Sequence, residues 1–135
     1  MNYIYIIMPE ILTNLSLEEF KNQLNILPKD DIIIVRFTAE WCQPCQKINE
    51  ECNDFFNNCN KRIHPIIIDI DESLELYITM KRHKMINGIP VLMAYYGNDK
   101  KDHWYVPSDS VIGGNKNNLA MFFNNCEMHI TKIYS

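Results

Sequence analysis

The sequence lacks the excess of positive charge that a nucleic-acid-binding surface needs. Its 13 lysine and arginine residues are outnumbered by 17 aspartate and glutamate residues, which leaves a formal net charge of −4 at pH 7. Domains that bind nucleic acid usually carry a basic patch or stripe that neutralises phosphates. We therefore expect no nucleic-acid partner.

Long apolar runs are also missing. No segment approaches the length of about 20 apolar residues that a membrane-spanning helix needs. The segment 1–8 is apolar, but it has no basic residue and is broken by Pro9, so it does not match a secretory signal peptide. We expect a cytoplasmic protein that is neither membrane-bound nor secreted, and packaging in a particle stays open.

Motifs for bound cofactors and metals are absent as well. The chain has no flavin- or nicotinamide-binding motif, so we expect no cofactor. A zinc site built on one Cys-x-x-Cys pair would want a second such pair. The four histidines show no ligand spacing, and we expect them to face solvent: His64, His83, His103 and His129. We therefore expect no metal.

What the chain does have is the composition of a globular domain. It contains 135 residues, of which 47% are hydrophobic and 22% are charged. This length suffices to enclose a sheet with helices on both faces. We expect a single domain over residues 1–135.

Apolar periodicity divides the first half of the chain into alternating strands and helices. Ser16 and Glu19 form a capping box that predicts a helix near 16–26, preceded by a strand at either 3–7 or 10–13. The β-branched run 32–37 predicts a strand buried on both faces, and a second β-branched run, 63–70, predicts another strand. Between them, one helical stripe faces the sheet: Cys45, Ile48, Cys52, Phe55, Phe56 and Cys59.

The second half continues the alternation and then changes it. Ser73 is the expected N-cap of a helix whose apolar residues are Leu74, Tyr77, Ile78 and, near its end, Met85. A strand over 90–96, a turn and a polar stretch to about residue 110 predict an antiparallel hairpin at the sheet edge. Asn115 caps a last helix with four residues facing inward: Leu119, Phe122, Phe123 and Cys126. The order predicts an α/β fold with a central mixed sheet of four to five strands flanked by helices on both faces.

Two cysteines lie three residues apart where the strand 32–37 is followed by a helix, in the segment Trp41-Cys42-Gln43-Pro44-Cys45. The first turn of a helix carries unpaired N–H groups and the positive end of the helix dipole, and both stabilise a thiolate. Such surroundings lower a cysteine pKa from about 8.5. We expect Cys42 to be the reactive thiol and Cys45, one turn further in, to resolve the disulfide.

The segment 37–45 resembles the active-site segment of thioredoxins, whose usual form is Trp-Cys-Gly-Pro-Cys. Asp69-Ile70-Asp71 resembles the acidic end of the third strand in that family, and Gly88-Ile89-Pro90-Val91 resembles the segment that carries its cis-proline. Gly113-Gly114 is similar to the glycine that helps line the substrate groove. The resemblance covers about residues 10–126 and implies the thioredoxin fold.

The resemblance also implies dithiol–disulfide exchange, in which the Cys42 thiolate attacks a substrate disulfide and Cys45 then releases the reduced substrate. Six residues would contact the substrate: Trp41, Gln43, Pro44, Ile89, Pro90 and Gly113. The implied partners are disulfide-containing proteins and an electron donor of the thioredoxin-reductase type. We expect a monomer.

Three features depart from the family pattern. Gln43 replaces the usual glycine between the cysteines, which bears on the reduction potential without giving its sign. Arg36 stands where thioredoxins usually carry a buried aspartate, and arginine cannot act as a base at pH 7. If Arg36 lies near Cys45, its charge would favour the Cys45 thiolate. If Arg36 instead bonds to Asp69 or another carboxylate, it forms a structural ion pair, and this structural interpretation is the one that we favour. The stretch 99–110 is longer than the family's hairpin turn.

Structural interpretations compete with functional ones at several positions. Cys42 and Cys45 could be buried thiols or half of a zinc site. The other cysteines could be regulatory or bridge to another chain, but they lie on apolar faces where cysteine packs as a small hydrophobe: Cys52, Cys59 and Cys126. Four aromatic residues could form a binding surface, although strand and edge packing is the commoner role: Tyr95, Tyr96, Trp104 and Tyr105.

Taken together, the residues and the resemblance predict a protein-disulfide reductase. An oxidant or isomerase is the alternative among enzymes. The alternative from another class is a protein-binding module or redox adaptor of thioredoxin fold, which uses the groove around Trp41 and Pro90 without reductase turnover.

Overall fold

The computed structural model describes residues 10–133, which form one sheet with helices around it. The strands are β1 (Leu12–Thr13), β2 (Ile32–Thr38), β3 (Ile63–Asp69), β4 (Val91–Tyr96) and β5 (Asp109–Ile112). The helices are α1 (Leu17–Ile26), α2 (Gln43–Lys47), α3 (Asn49–Asn58), α4 (Leu74–Arg82) and α5 (Lys116–Ile133). Of the two predictions for the first strand, 10–13 corresponds to β1, and 3–7 lies outside the described residues.

The strands follow the order β1-β3-β2-β4-β5 across the sheet. β1, β3 and β2 run parallel to one another, whereas β4 is antiparallel to both β2 and β5. The mixed sheet and the antiparallel edge hairpin are therefore confirmed. In the β2–β4 register Phe37 lies opposite Val91, so the end of β2 meets the beginning of β4.

Helices cover both faces of the sheet and give the core two layers. On one face, α1 and α4 bury Phe20, Leu24, Leu76 and Met80 against β2, β3 and β4. On the other, α3 and α5 bury Cys52, Phe56, Leu119 and Phe122. β2 is buried on both faces, as the sequence predicts, and its β-branched run therefore does not alternate between apolar and polar residues.

The predicted helix caps at Ser16 and Asn115 are confirmed, whereas Ser73 is the N-cap residue of α4 but its side chain forms no capping bond. Ser16 N–H donates to Glu19 Oε1 at 2.8 Å, and Glu19 N–H donates to Ser16 Oγ at 3.1 Å, which is the reciprocal capping box. These bonds from Ser16 lower the pKa of Glu19. At α5, Asn118 N–H donates to Asn115 Oδ1 at 2.9 Å. No helix within residues 10–133 combines the length and apolar character needed to cross a bilayer.

The inward face of α4 differs from the sequence prediction. Leu76 and Met80 are fully buried, whereas Leu74 and Ile78 are 54% and 44% exposed. Both pairs are four residues apart, so both satisfy helical spacing, and the direction from which α4 packs decides between them. The apolar residues that the sequence singles out, Leu74 and Ile78, are therefore not the ones that α4 buries.

The helix after the cysteine pair is divided in two, which the sequence did not predict. α2 ends at Lys47, Ile48 leaves helical geometry with φ −105° and ψ 8°, and α3 begins at Asn49. At this break Arg36 Nη2 donates to the Cys45 carbonyl oxygen at 2.8 Å. A side chain that occupies a carbonyl of the helical ladder is a recognised cause of a kink.

Replacing Gly97 by alanine is expected to destabilise the protein by about 1–3 kcal/mol, because the new Cβ overlaps backbone atoms that have little room to move. The Cβ would overlap the Pro28 carbonyl oxygen and lie 2.8 Å from Lys29 Cα. Urea unfolding of the oxidised protein measures the change. Gly88→Ala is the matched control, since its Cβ would meet nothing within 4 Å. Equal unfolding midpoints for the two variants would contradict the argument.

Candidate active site

Cys42 and Cys45 form a disulfide at the junction of β2 and α2, with their Cα atoms 5.2 Å apart. Cys42 is the N-cap of α2, and the Cys45 N–H donates to its Sγ at 3.3 Å. The loop is held by two bonds to the Ala39 carbonyl, from Cys42 N–H at 3.2 Å and from Gln46 Nε2 at 2.9 Å. Cys42 is 5% exposed and Cys45 is fully buried, so Cys42 is the less buried residue of the pair.

Trp41 lies beside the disulfide with 64% of its surface exposed. Its Nε1–H donates to Asp71 Oδ2 at 2.9 Å, which fixes the indole ring over the end of β3. Sequence reasoning chose Asp69 rather than Asp71 as the acidic residue of the site. The Asp69 carboxylate instead accepts the Asp71 N–H at 2.9 Å and so shapes the turn.

The segment before β4 forms the other wall of the site. The Ile89–Pro90 peptide is cis, and the Ile89 carbonyl oxygen lies 3.8 Å from Cys42 Sγ. Gly113 N–H donates to the Pro90 carbonyl at 2.9 Å, with Gly113 at φ 92°, in the left-handed region that favours glycine. The structure therefore brings Ile89, Pro90 and Gly113 to the cysteine pair, as the resemblance implies.

Pro44 and Gln43 complete the surface around the disulfide. Pro44 occupies the first turn of α2, where its missing N–H costs no helical bond. A Cβ on Gly114 would lie 3.2 Å from the Pro44 carbonyl oxygen, so the glycine allows this close approach. Gln43 and Pro44 are both exposed beside the cysteines.

Arg36 lies beneath the cysteine pair and is 2% exposed. Its Nη2 donates to the Cys45 carbonyl at 2.8 Å and to Asn49 Oδ1 at 2.7 Å. No carboxylate of residues 10–133 forms an ion pair with it, so the predicted structural ion pair, with Asp69 or another acid, is not formed. Burial lowers the pKa of the Arg36 guanidinium, and the neighbouring Cys52 raises it. Sequence reasoning missed Asn49, because no pattern marks a partner that only the fold brings close.

The other cysteines are buried or half-buried free thiols. Burial raises the pKa of Cys52 and of Cys59 to about 11, and that of Cys126 to about 12. Their sulfurs pack in the apolar layer between the sheet and helices α3 and α5. The packing role predicted for these residues fits their placement.

The histidines and the long β4–β5 connection lie away from the disulfide. His64 Nε2 lies 2.7 Å from Asp31 Oδ2, His129 stacks on Tyr96, and His83 stacks on Tyr105. Three of the four predicted solvent-facing histidines are therefore partly covered. Trp104 packs edge-on to Phe20. Among residues 10–133, no group of three or more histidine, cysteine or acidic side chains is arranged to hold a metal ion.

At about pH 8 the thiols of Cys52, Cys59 and Cys126 are expected to alkylate at least about a hundredfold more slowly than in the unfolded chain, since raised pKa values leave little thiolate. Their rates should rise about tenfold per pH unit until each pKa is reached. Peptide mapping after iodoacetamide treatment measures them, with guanidinium-unfolded protein as the control. Equal rates in the folded and unfolded chains would contradict the assignment.

Comparisons with known proteins agree with this geometry. The family model described as Thioredoxin matches residues 11–123. Thioredoxin 1 of Plasmodium falciparum (isolate 3D7) is 29% identical over 91 residues, which cover 65% of this chain and 80% of that protein. The thioredoxin of Rickettsia bellii (strain RML369-C) is 26% identical over 95 residues, covering 70% and 82%.

Solved structures show the same architecture. The structure of Plasmodium falciparum thioredoxin aligns with a TM-score of 0.60 at 25% identity, covering 86% of this chain and 97% of that one. Thioredoxin NaTrxh from Nicotiana alata aligns with a TM-score of 0.67 at 18% identity, covering 88% and 94%. The fold is the thioredoxin fold, as the resemblance implies. Since the matched segment contains both cysteines, the cis-proline and the glycine that bonds to it, the chain belongs to the thioredoxin family of thiol–disulfide oxidoreductases.

Proposed function

We propose that this protein reduces disulfide bonds in other proteins, with Cys42 as the attacking cysteine and Cys45 as the resolving cysteine. The observation that carries the proposal is the asymmetry of the pair. Cys42 keeps 5% of its surface exposed and its Sγ accepts a backbone N–H, whereas Cys45 is fully buried. We therefore assign the attack on the substrate to Cys42.

The exchange proceeds through one mixed disulfide. The Cys42 thiolate attacks one substrate sulfur, the substrate S–S bond breaks, and the other substrate sulfur leaves as a thiolate that takes up a proton. Cys45 then loses its proton and attacks Cys42 Sγ, which forms the intramolecular disulfide and releases the second substrate thiolate. Two electrons pass from the cysteine pair to the substrate, and no cofactor other than this pair takes part.

Docking of the substrate is assigned to the apolar surface around Cys42. Trp41 and Ile112 are each 64% exposed, and Ile112 pairs with Val91 directly after the cis-proline. An extended peptide can lie between these side chains with its backbone beside Ile89. Gln43 and Pro44 border the same surface and would contact the substrate next to its disulfide.

The oxidised pair must be reduced again after each turnover. We assign this step to an electron donor of the thioredoxin-reductase type, acting on Cys42, the less buried of the two cysteines. A reducing compartment such as the cytoplasm suits this cycle, because structural disulfides there are rare and the pool of reductant is large.

Replacing Cys45 by serine is expected to arrest the reaction at the mixed disulfide, because the second attack then lacks its thiolate. Reduced Cys45→Ser protein incubated with insulin should give a covalent complex that dithiothreitol releases, visible on a non-reducing gel and mapped to Cys42 by mass spectrometry. With dithiothreitol as the reductant, the native protein should reduce insulin catalytically, and the Cys45→Ser variant should lose this turnover.

The double variant Cys42→Ser, Cys45→Ser is the matched control and should form no adduct. Adducts through Cys52, Cys59 or Cys126 in place of Cys42 would reject the assigned nucleophile. Two results together would favour the non-catalytic binding module. No covalent complex would form, and the native and variant proteins would bind insulin or other protein ligands equally well.

A further inference from the structure

Arg36 is a buried cation in apolar surroundings. It is 2% exposed, and its neighbours across the sheet are Ile67 on β3 and Leu92 on β4. A buried charge is costly unless a counter-charge or several hydrogen bonds compensate it. Within residues 10–133 Arg36 has two hydrogen-bond acceptors, both neutral, and its Nε finds none. Among the residues that the structure describes, the guanidinium of the oxidised protein therefore has no counter-charge.

A chain of hydrogen bonds fixes the orientation of this guanidinium. Asn49 Nδ2 donates to Gln46 Oε1 at 2.7 Å, and Gln46 Nε2 donates to the Ala39 carbonyl at 2.9 Å. These two bonds leave Asn49 Oδ1 facing Arg36, which it binds at 2.7 Å. These hydrogen bonds run from Asn49 at the start of α3, through Gln46 in α2, to Ala39 in the loop before Cys42, so they tie the guanidinium to the segment that carries the two cysteines.

The guanidinium lies close to the sulfur of Cys45. Its Nη2 is 2.8 Å from the Cys45 carbonyl oxygen. Since the carbonyl oxygen and the sulfur belong to one residue, Nη2 is within about 8 Å of that sulfur. A unit charge at this range in a protein interior changes a neighbouring pKa by about one unit.

The cysteine pair itself generates the missing negative charge. When the disulfide accepts two electrons, its S–S bond breaks and each sulfur becomes a thiolate or, with a proton, a thiol. Cys45 must pass through the thiolate form each time it attacks Cys42 to release a substrate. Cys52 also faces Arg36, from α3, but its pKa of about 11 keeps it neutral and it takes no part in the exchange.

We propose that Arg36 is a positioning residue that stabilises the Cys45 thiolate of the reduced protein and thereby makes the pair less reducing than a neutral residue would. This inference rests on the proposed function of the pair. It assigns a role to the position where the resemblance leads one to expect an aspartate. An aspartate at this position can accept the Cys45 proton, whereas Arg36 cannot. Arg36 instead lowers the free energy of the Cys45 thiolate after the proton has passed to solvent.

The groups that face Arg36 leave Cys45 as the titrating partner. From α2 and α3 these are Cys45, Asn49 and Cys52, and from the flanking strands they are aliphatic side chains. Well below the Cys45 pKa, the reduced protein carries a thiol with or without Arg36, so the effect of Arg36 on the redox equilibrium is small. As the pH rises through that pKa, the effect grows.

Arg36→Met tests the proposal because it removes the charge and keeps much of the aliphatic volume. We expect Arg36→Met to shift the glutathione equilibrium constant of the Cys42–Cys45 pair toward the disulfide by an amount that grows with pH. The shift should approach about tenfold, which corresponds to about 30 mV, once the pH exceeds the Cys45 pKa of both proteins, and it should be small at about pH 6. Arg36→Lys keeps a charge and should remain within about threefold of the native protein. Acid trapping of the free thiols and mass spectrometry give the populations.

A site-resolved titration separates this role from a merely structural one. In a Cys42→Ser background, NMR of cysteine labelled at the β-carbon reports the Cys45 pKa directly. Arg36→Met should raise that pKa by about one unit, and Arg36→Lys should not. Unchanged Cys45 titration together with an unchanged redox equilibrium would overturn the proposal.

A second pair of variants decides the matter if Arg36→Met does not fold. Asn49→Asp gives Arg36 a permanent carboxylate, whereas Asn49→Ala removes the Oδ1 acceptor without adding a charge. Asn49→Asp should therefore raise the Cys45 pKa, and shift the equilibrium toward the disulfide, further than Asn49→Ala does. Equal values for Asn49→Asp and Asn49→Ala would reject the electrostatic role. None of these equilibria involves a protein substrate, so a failure of the insulin trap leaves them readable.

Discussion

The antiparallel register between β2 and β4 sets where every part of the site lies. Because Phe37 is opposite Val91, the chain leaving β2 and the chain entering β4 are adjacent at one end of the sheet. This places the disulfide loop beside Ile89 and Pro90, and the pairing of β4 with β5 then brings Gly113 to the same point. A shift of one residue in this register would reverse the face of every β2 side chain and move Arg36 away from the cysteine helix.

Much of the fold could be predicted because its signals are local. β-Branched runs mark β2 and β3, and the caps at Ser16 and Asn115 mark helix starts, since each needs only neighbouring residues to form. The cysteine pair is also local, being three residues apart on one loop. Sequence periodicity could not choose between two apolar faces of α4, because that choice depends on where the sheet lies relative to the helix.

Contacts between residues that are distant in the sequence could not be predicted. Asp71 lies 30 positions from Trp41, and Asn49 lies 13 positions from Arg36, with no spacing rule to connect either pair. The break between α2 and α3 has the same origin, because it coincides with a bond that a strand residue makes to a helix carbonyl. Arg36 thus bonds to the helix backbone at the break and adds a positive charge next to the site. The carboxylate partner that the sequence analysis predicts for it is not among its contacts within residues 10–133.

The short first strand has a consequence for how the molecule behaves among copies of itself. β1 pairs with β3 only at Ile66 and Ile67, so within residues 10–133 the first half of β3 has no strand on that side. The Ile67 carbonyl and the Asp69 N–H both bond toward β1, at Asn14, and backbone alternation makes the Pro65 position point the same way. Proline has no N–H, so this open edge lacks a donor where another chain would need one. Within the described residues, Pro65 therefore hinders the pairing of another chain with this side of β3.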